Sequence, residues 1–462
     1  MKNVDLFQHE NDFPDFDGER AVRHLSEAIS FETTGYVDTA RIRYQEFAAL
    51  HDFLQKSFPL VFRNGILEKI GYSLLITLPG SDKSLKPALF MAHQDVVPVI
   101  AGTEKDWLHP PFSGDVADGF IWGRGAMDIK EMLIGILEAA EYHLCSGNRF
   151  RRTVYLAFGE DEETRSTGAI GISKLLKSRG EELEYVLDEG AGDVTPAMDY
   201  GAPGILVCPI GIYEKGYADL KLSAKSRGGH SSNPFRGTSL GVLSKAITAI
   251  LDHPLPPHLP ECVKSTLEQL APDITEEPMA GYVRDIDHHT DDIINWFLAR
   301  ESLYHQVQTT AAPTQISTGA PSGNVMPQDM EAVINFRLAP PDTPASLLEH
   351  CRKWVDPGVE TEYVQCIAPS TPSEIDSYGF HSLRKVLEHY FAPLKFIPVQ
   401  NRGATDARHY EALCRCCLRF GPFLEEEDIS AEGIHGTNER ISVRAYLQGI
   451  RVLIKLMEET CL

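Results

Sequence analysis

The sequence is short of positive charge: it sets 43 lysines and arginines against 66 aspartates and glutamates, a formal net charge of −23. Phosphate backbones and anionic lipid surfaces repel such a chain, so neither nucleic acid nor a membrane surface is an expected partner. No uninterrupted apolar stretch approaches the roughly 20 residues needed to span a bilayer. The opening residues, MKNVDLFQHENDFPDFDGER, carry neither a basic n-region nor an apolar core. A cytoplasmic protein is the expectation. Cysteine is sparse and odd in number, nine without an evenly spaced framework, which favours reduced thiols over disulfides. The tightest group, Cys414, Cys416 and Cys417, reads as a buried strand, because it is too small to complete a zinc site. Repeats and low-complexity tracts are absent too. What is there, 43% apolar and 24% charged residues over 462 positions, is the balance of a globular protein with core enough for about two or three domains.

Apolar runs suited to buried parallel strands alternate with helical patterns through the first part of the chain. Ala88–Ala92 (ALFMA), Thr153–Phe158 (TVYLAF) and Tyr185–Leu187 (YVL) are such strands. Between the first two, Met132, Leu133, Ile136, Leu137 and Ala140 share one face of a helix over Ile129–Leu144. This βαβ rhythm predicts a doubly wound, mainly parallel α/β sheet. After Gly211 the pattern changes to a polar-alternating strand (Tyr217–Ser226), a helix near Leu240–Leu251 and a Pro-rich, acidic stretch to about Asp292. Strands at Gln315–Thr318 and Met330–Leu338, a helix opened by Pro344 and a strand around Val359–Cys366 follow. With the acidic stretch set aside, the order is βαββαβ, a ferredoxin-like unit. The expected organisation is a catalytic α/β domain in two pieces, 1–213 and 367–462, interrupted by a ferredoxin-like lid and dimerisation domain over 214–366.

Polar residues cluster where the buried strands stop. His93 follows ALFMA, Glu162 and Glu163 follow TVYLAFGED, and Asp188 and Glu189 follow YVL. Open α/β sheets bind ligands beyond the carboxyl ends of their strands, so three successive ends in metal-ligand residue types point to one centre. Asp95, two residues after His93, is placed to hold the far nitrogen of a ligating imidazole, or else to shape the turn before Pro98. Asp128, in FIWGRGAMDIK, is either a helix N-cap or a carboxylate that bridges two cations. Of the adjacent Glu162 and Glu163, one can bind metal while the other acts as general base on an activated water.

The runs AHQDVVP, WLHPPFSGDVADGFIWGRGAMDIK, GEDEE, VLDEG, RGGHSSNP and IHGTNERIS, in this order, resemble metallopeptidase family M20. That family includes aminoacylase, carboxypeptidase G, succinyl-diaminopimelate desuccinylase, and the Gly-Xaa carboxypeptidases with their N-acyl amino acid hydrolysing relatives. The resemblance implies two Zn2+ ions per subunit, with Co2+ or Mn2+ as alternatives. His93 would bind one ion, Asp128 would bridge, and Glu163 and His435 would bind the second. The remaining ligand of the first would be Asp188 or Glu189, a choice the resemblance tilts towards Glu189. Glu162 would be the general base, Asp95 the partner of His93, and the Asp128–Ile129 peptide would be cis. It also implies substrate-binding roles for His230 in GGHSSNP, Asn324 and Arg337 in PSGNVMPQ and INFRLAP, and Gly403 and Thr405 in RGATDAR. Arg337 would grip a substrate carboxylate with its planar fork.

The expected function is hydrolysis of an amide bond next to a free carboxylate, in an N-acyl amino acid or short peptide, by a homodimer associating through the inserted domain. The alternatives are a phosphoesterase on the same metals and a non-catalytic module for association or sensing. His288 and His289, in the acidic stretch, are expected to be solvated.

Overall fold

In the computed structural model, which describes residues 5–190, 192–320, 322–401, 403–426 and 433–462, two strands not anticipated from the apolar pattern open the main sheet. β1 (Ile66–Ile70) and β2 (Ser73–Leu78) pair antiparallel with Ile70 opposite Ser73. The turn therefore falls on Gly71 and Tyr72, and Gly71 takes φ 63°, where a Cβ would be strained. β3 (Ala88–His93) and β4 (Val154–Gly159) are buried at every residue and run parallel, with β5 (Tyr185–Asp188) parallel on the other side of β3. A strand covered on both faces has no polar face to alternate, which is why ALFMA and TVYLAF are continuous apolar runs. Helices α1 (Lys130–Cys145) and α2 (Thr167–Ser178) make the crossovers. α1 is buried from Lys130 through Glu141, so it is an internal helix, apolar on more than one face. β6 (Leu206–Glu214) closes this stretch.

From β7 (Gly216–Lys225) the burial alternates strictly, one face in and one out. α3 (Ser239–Asp252) follows, and the acidic stretch then folds as α4 (Glu261–Leu270), α5 (Met279–Tyr282) and α6 (Thr290–Leu298), which bury Val263, Leu267, Met279, Ile293 and Phe297. His288 and His289 stay at its surface beside Asp285 and Asp292, at 2.8 and 2.9 Å. β8 (Thr310–Thr318), β9 (Asp329–Leu338), α7 (Pro344–Trp354) and β10 (Val359–Ile367) complete the run. α7 starts on a capping box between Thr343 and Ser346, with Pro344 in its first turn. The sheet order is β8-β9-β7-β10, antiparallel throughout. Leu220, Leu222, Ile334 and Phe336 of its inner face pack with Leu243 and Ile250 of α3 and Leu347 of α7.

The chain returns through α8 (Tyr378–Tyr390), β11 (Lys395–Asn401), β12 (Cys417–Arg419) and α9 (Val443–Cys461). β12 joins β5 in parallel, giving the main sheet the order β1-β2-β4-β3-β5-β12-β6-β11. The centre, β4-β3-β5-β12, is parallel, whereas β1–β2, β2–β4 and β12–β6 are antiparallel. A mainly parallel sheet is thus found in the centre only, because the hairpin and β6 add antiparallel flanks.

Contacts divide the protein into two units. One holds the described residues up to Pro196 with Ile205–Tyr213 and Pro372–Leu462; the other holds Ala197–Gly204 and Glu214–Thr371. All nine cysteines are free, with Cys414, Cys416 and Cys417 buried at or beside β12. No described helix is long and apolar enough to cross a membrane.

Candidate metal centre

Each of three parallel strands at the sheet centre delivers donors at its carboxyl end. His93 closes β3, Glu162 and Glu163 stand in the turn beyond β4, and Glu189 follows Asp188 at the end of β5. Asp128 comes from the turn before α1, joined to Ile129 by a cis peptide bond, and His435 comes from the segment before α9 at φ 59°. His93 Nε2 lies 3.1 Å from Asp128 Oδ1 and 3.4 Å from Glu189 Oε1. His435 Nε2 lies 3.0 Å from Asp128 Oδ2 and 3.2 Å from Glu163 Oε1. Asp128 therefore turns one oxygen to each imidazole. Glu162 closes the group: one ligand atom each from His93, Glu162 and Glu189 lie within 4.8 Å of one another, as do those of His93, Asp128 and Glu163.

Carboxylates packed this closely are costly unless cations answer them. Burial and then Glu189 push the Glu162 carboxyl well above its usual range, and burial, opposed by His93 and reinforced by Asp128, raises Glu189 to about 7. Burial works against a charged His93, yet Glu189, Asp128 and Asp95 outweigh it and hold the imidazole well above its ordinary range. Hydrogen bonds to Asp128 and Glu163 raise His435 to about 10. Imidazole nitrogens and carboxylate oxygens are a donor set that suits zinc, and the excess of acid over base suits more than one positive charge.

Hydrogen bonding separates the two acids that end β5. Asp188 is consumed by the backbone: Oδ1 accepts from Glu189 N at 2.9 Å and Oδ2 from Ala407 N at 2.7 Å. Glu189 is left facing His93. Asp95, fully buried, accepts from Glu162 N at 3.1 Å and Glu163 N at 3.2 Å, and its Oδ1 is 3.4 Å from His93 Nδ1. The closer acceptor for that nitrogen is the Asp95 carbonyl oxygen, at 2.9 Å. One residue thus fixes the imidazole and the turn that carries both glutamates.

Two residues outside the sequence expectations tie the ligand loops together. Buried Glu439 accepts from Gly125 N and Met127 N, both at 2.9 Å, and from Arg124 Nη1 at 2.5 Å. Arg124 Nη2 donates to Gly436 O at 2.8 Å, beside His435. The turn that presents Asp128 and the segment that presents His435 are therefore one clamp. Both residues stand inside the motif runs, but an arginine or glutamate in a loop gives no sign of a buried partner far along the chain. Asp406 was also missed: it is buried, and burial followed by Asp188 holds its carboxyl well above the carboxylate range.

The remaining expected residues fall in two places. Gly403 and Thr405 belong to the unit with the metal centre: Gly403 O accepts from Asn401 Nδ2 at 3.2 Å, and Thr405 is buried before a short 3-10 turn. Arg402, which opens that motif, and Pro321, which opens the run with Asn324, lie outside the described residues. His230, Asn324 and Arg337 belong to the other unit. His230 is exposed, with Nδ1 accepting from Ser232 N at 3.1 Å, and Asn324 Oδ1 accepts from Ser322 Oγ. Arg337, exposed on β9, lies over the Tyr217 ring at 4.9 Å.

Residues 89–459 match the profile of Peptidase family M20/M25/M40. The chain is 32% identical over 451 residues to a probable carboxypeptidase S-like 2 of Dictyostelium discoideum, covering 95% of this chain and 84% of that protein. It is 34% identical over 460 residues to the N-fatty-acyl-amino acid synthase/hydrolase PM20D1.1 of Danio rerio, covering 96% and 86%. Its fold is similar to that of an M20 family metallo-carboxypeptidase, Sso-CP2 of Sulfolobus solfataricus, at TM-score 0.63 and 18% identity over 95% of this chain and 98% of that one.

Proposed function

Since the chain belongs to peptidase family M20/M25/M40, we propose that it is a two-metal amidohydrolase cleaving the amide bond next to a free carboxylate in an N-acyl amino acid or short peptide. The observation that carries this reading is Asp128, whose oxygens lie 3.1 Å from His93 and 3.0 Å from His435 and so serve two donor groups at once. His93 and Glu189 would hold one zinc with Asp128, and Glu163 and His435 the other; Co2+ or Mn2+ suits the same donors. Metal held there supplies Lewis acidity towards water and the scissile carbonyl.

The chain's own residues do the rest. Glu162 takes the proton of the attacking water and returns it to the leaving amine. Asp95 sets where that base stands by holding its backbone N–H. His230 is assigned as donor to the developing oxyanion, and Asn324, Arg337, Gly403 and Thr405 as substrate-binding residues, with Arg337 on the carboxylate. The βαββαβ order and all-antiparallel sheet support a ferredoxin-like lid; homodimerisation through it and a cytoplasmic location belong to the same proposal.

The test is a hydrolysis panel on zinc-reconstituted protein: N-acyl amino acids from short to long acyl chains, dipeptides, the carboxyl-amidated form of each, and phosphate esters, with a chelated control. Cleavage that needs both metal and a free carboxylate is the expected result. Cleavage of the amidated forms at equal rates contradicts the assignment of Arg337, and cleavage of phosphate esters instead contradicts the reaction class.

A further inference from the structure

A second group of ligand-type side chains meets where the N-terminal segment crosses the end of α8. His9 and Asp12 come from one turn of that segment and His389 from the last turn of α8. One nitrogen of each imidazole and one oxygen of Asp12 lie within 4.8 Å of one another. The two rings are stacked, with centroids 3.8 Å apart and planes at 16°. His389 Nε2 is 3.4 Å from Asp12 Oδ2, and the Tyr390 hydroxyl donates to that same oxygen at 3.0 Å. The backbone under the group is tied on every side. Gln8 N donates to Tyr390 O at 2.9 Å, Asp12 N closes the turn on His9 O at 3.0 Å, Phe7 bridges Phe391, and Gln448 of α9 donates to Gln8 O at 2.6 Å.

We propose that His9, Asp12 and His389 form a surface site for one divalent d-block cation, zinc first among them, sharing no residue with the hydrolytic centre. Two imidazoles with one carboxylate are the donors of a zinc-type site with a position left for water, and imidazole turns the choice away from magnesium and calcium. Bonds of about 2.0–2.1 Å in tetrahedral geometry set ligand atoms about 3.3 Å apart, so binding requires the group to draw in and one imidazole to turn out of the stack until both ring nitrogens aim at one ion. Tyr390 is the partner that orients a ligating carboxylate. Occupancy would pin the N-terminal segment to α8, next to the ion pairs that Arg444 of α9 already makes with Asp5 and Glu10 at 2.9 and 2.8 Å.

The site does not depend on the proposed hydrolase chemistry, and its test is a metal count on the full chain. Zinc is measured by inductively coupled plasma mass spectrometry after dialysis against micromolar free Zn2+, for the wild type, H9A/H389A, D12N and H93A/H435A. The expected counts are three ions for the wild type, two for H9A/H389A and D12N with hydrolysis unchanged, and one for H93A/H435A. The third equivalent should raise Tm in the wild type and not in H9A/H389A. A wild-type count no higher than that of H9A/H389A and D12N overturns the proposal, whatever number of ions the hydrolytic centre holds. Failure of the hydrolytic reading would instead show in H93A/H435A keeping every ion. Should H9A/H389A not fold, D12N and the d–d spectrum of Co2+ titrated into the wild type and into the single variant H389Q decide the same point.

Discussion

Asp188 and Glu189 are adjacent acids with opposite work. Asp188 is held by two backbone N–H groups and Glu189 faces His93. E189Q should lose bound zinc, whereas D188N should keep it and lose about 1–3 kcal/mol of stability, because an amide nitrogen set against a backbone N–H leaves a donor unsatisfied. Metal content and Tm of the two variants check this. E162Q should keep both metals while kcat falls about 10²–10⁴-fold, measured with metal content on the same sample. The ligand residues were legible in the sequence because each ends a buried strand or sits in a motif run. The division of labour between Asp188 and Glu189 was not, since it turns on the N–H of Ala407, 219 residues away.

Between elements, the Arg124–Glu439 clamp joins the turn before α1 to the segment before α9, and so holds two ligand loops in register. E439Q leaves a buried guanidinium short of its partner, so stability should fall by about 3–5 kcal/mol. Its loss should also weaken zinc binding about 10–100-fold, as removal of a group that orients ligands does. R124M/E439M removes the uncompensated charge but leaves the Gly125 and Met127 N–H groups without an acceptor, so Tm should recover only in part and zinc affinity not at all, as read by thermal melts and competitive chelation. The central strands were readable because burial on both faces leaves nothing but apolar residues. The acidic stretch was not, because its prolines look like breakers, yet Pro260 stands at the N-cap of α4, where a missing N–H costs nothing.

At the scale of the molecule, a chain carrying −23 gathers several of its acids at one centre, where burial and mutual repulsion raise Glu162 and Glu189 above the usual carboxylate range. His435, raised to about 10, holds a proton at neutral pH, and a cation must displace it. Zinc binding should therefore release protons and its affinity should fall as pH falls from about 8 to 6, which calorimetry in buffers of different ionisation enthalpy detects. Chelation should abolish hydrolysis and lower Tm, by about 2.7 kcal/mol of stability for each site at which free zinc had stood at 100 times Kd. The most direct test of the two-metal centre is a titration of metal-free protein with Zn2+ under turnover, using an N-acyl amino acid substrate and H9A/H389A protein so that only the hydrolytic site is filled. Activity that starts from zero and reaches its plateau at two equivalents is the predicted result; full activity in chelator, or a plateau reached at one equivalent, would contradict it.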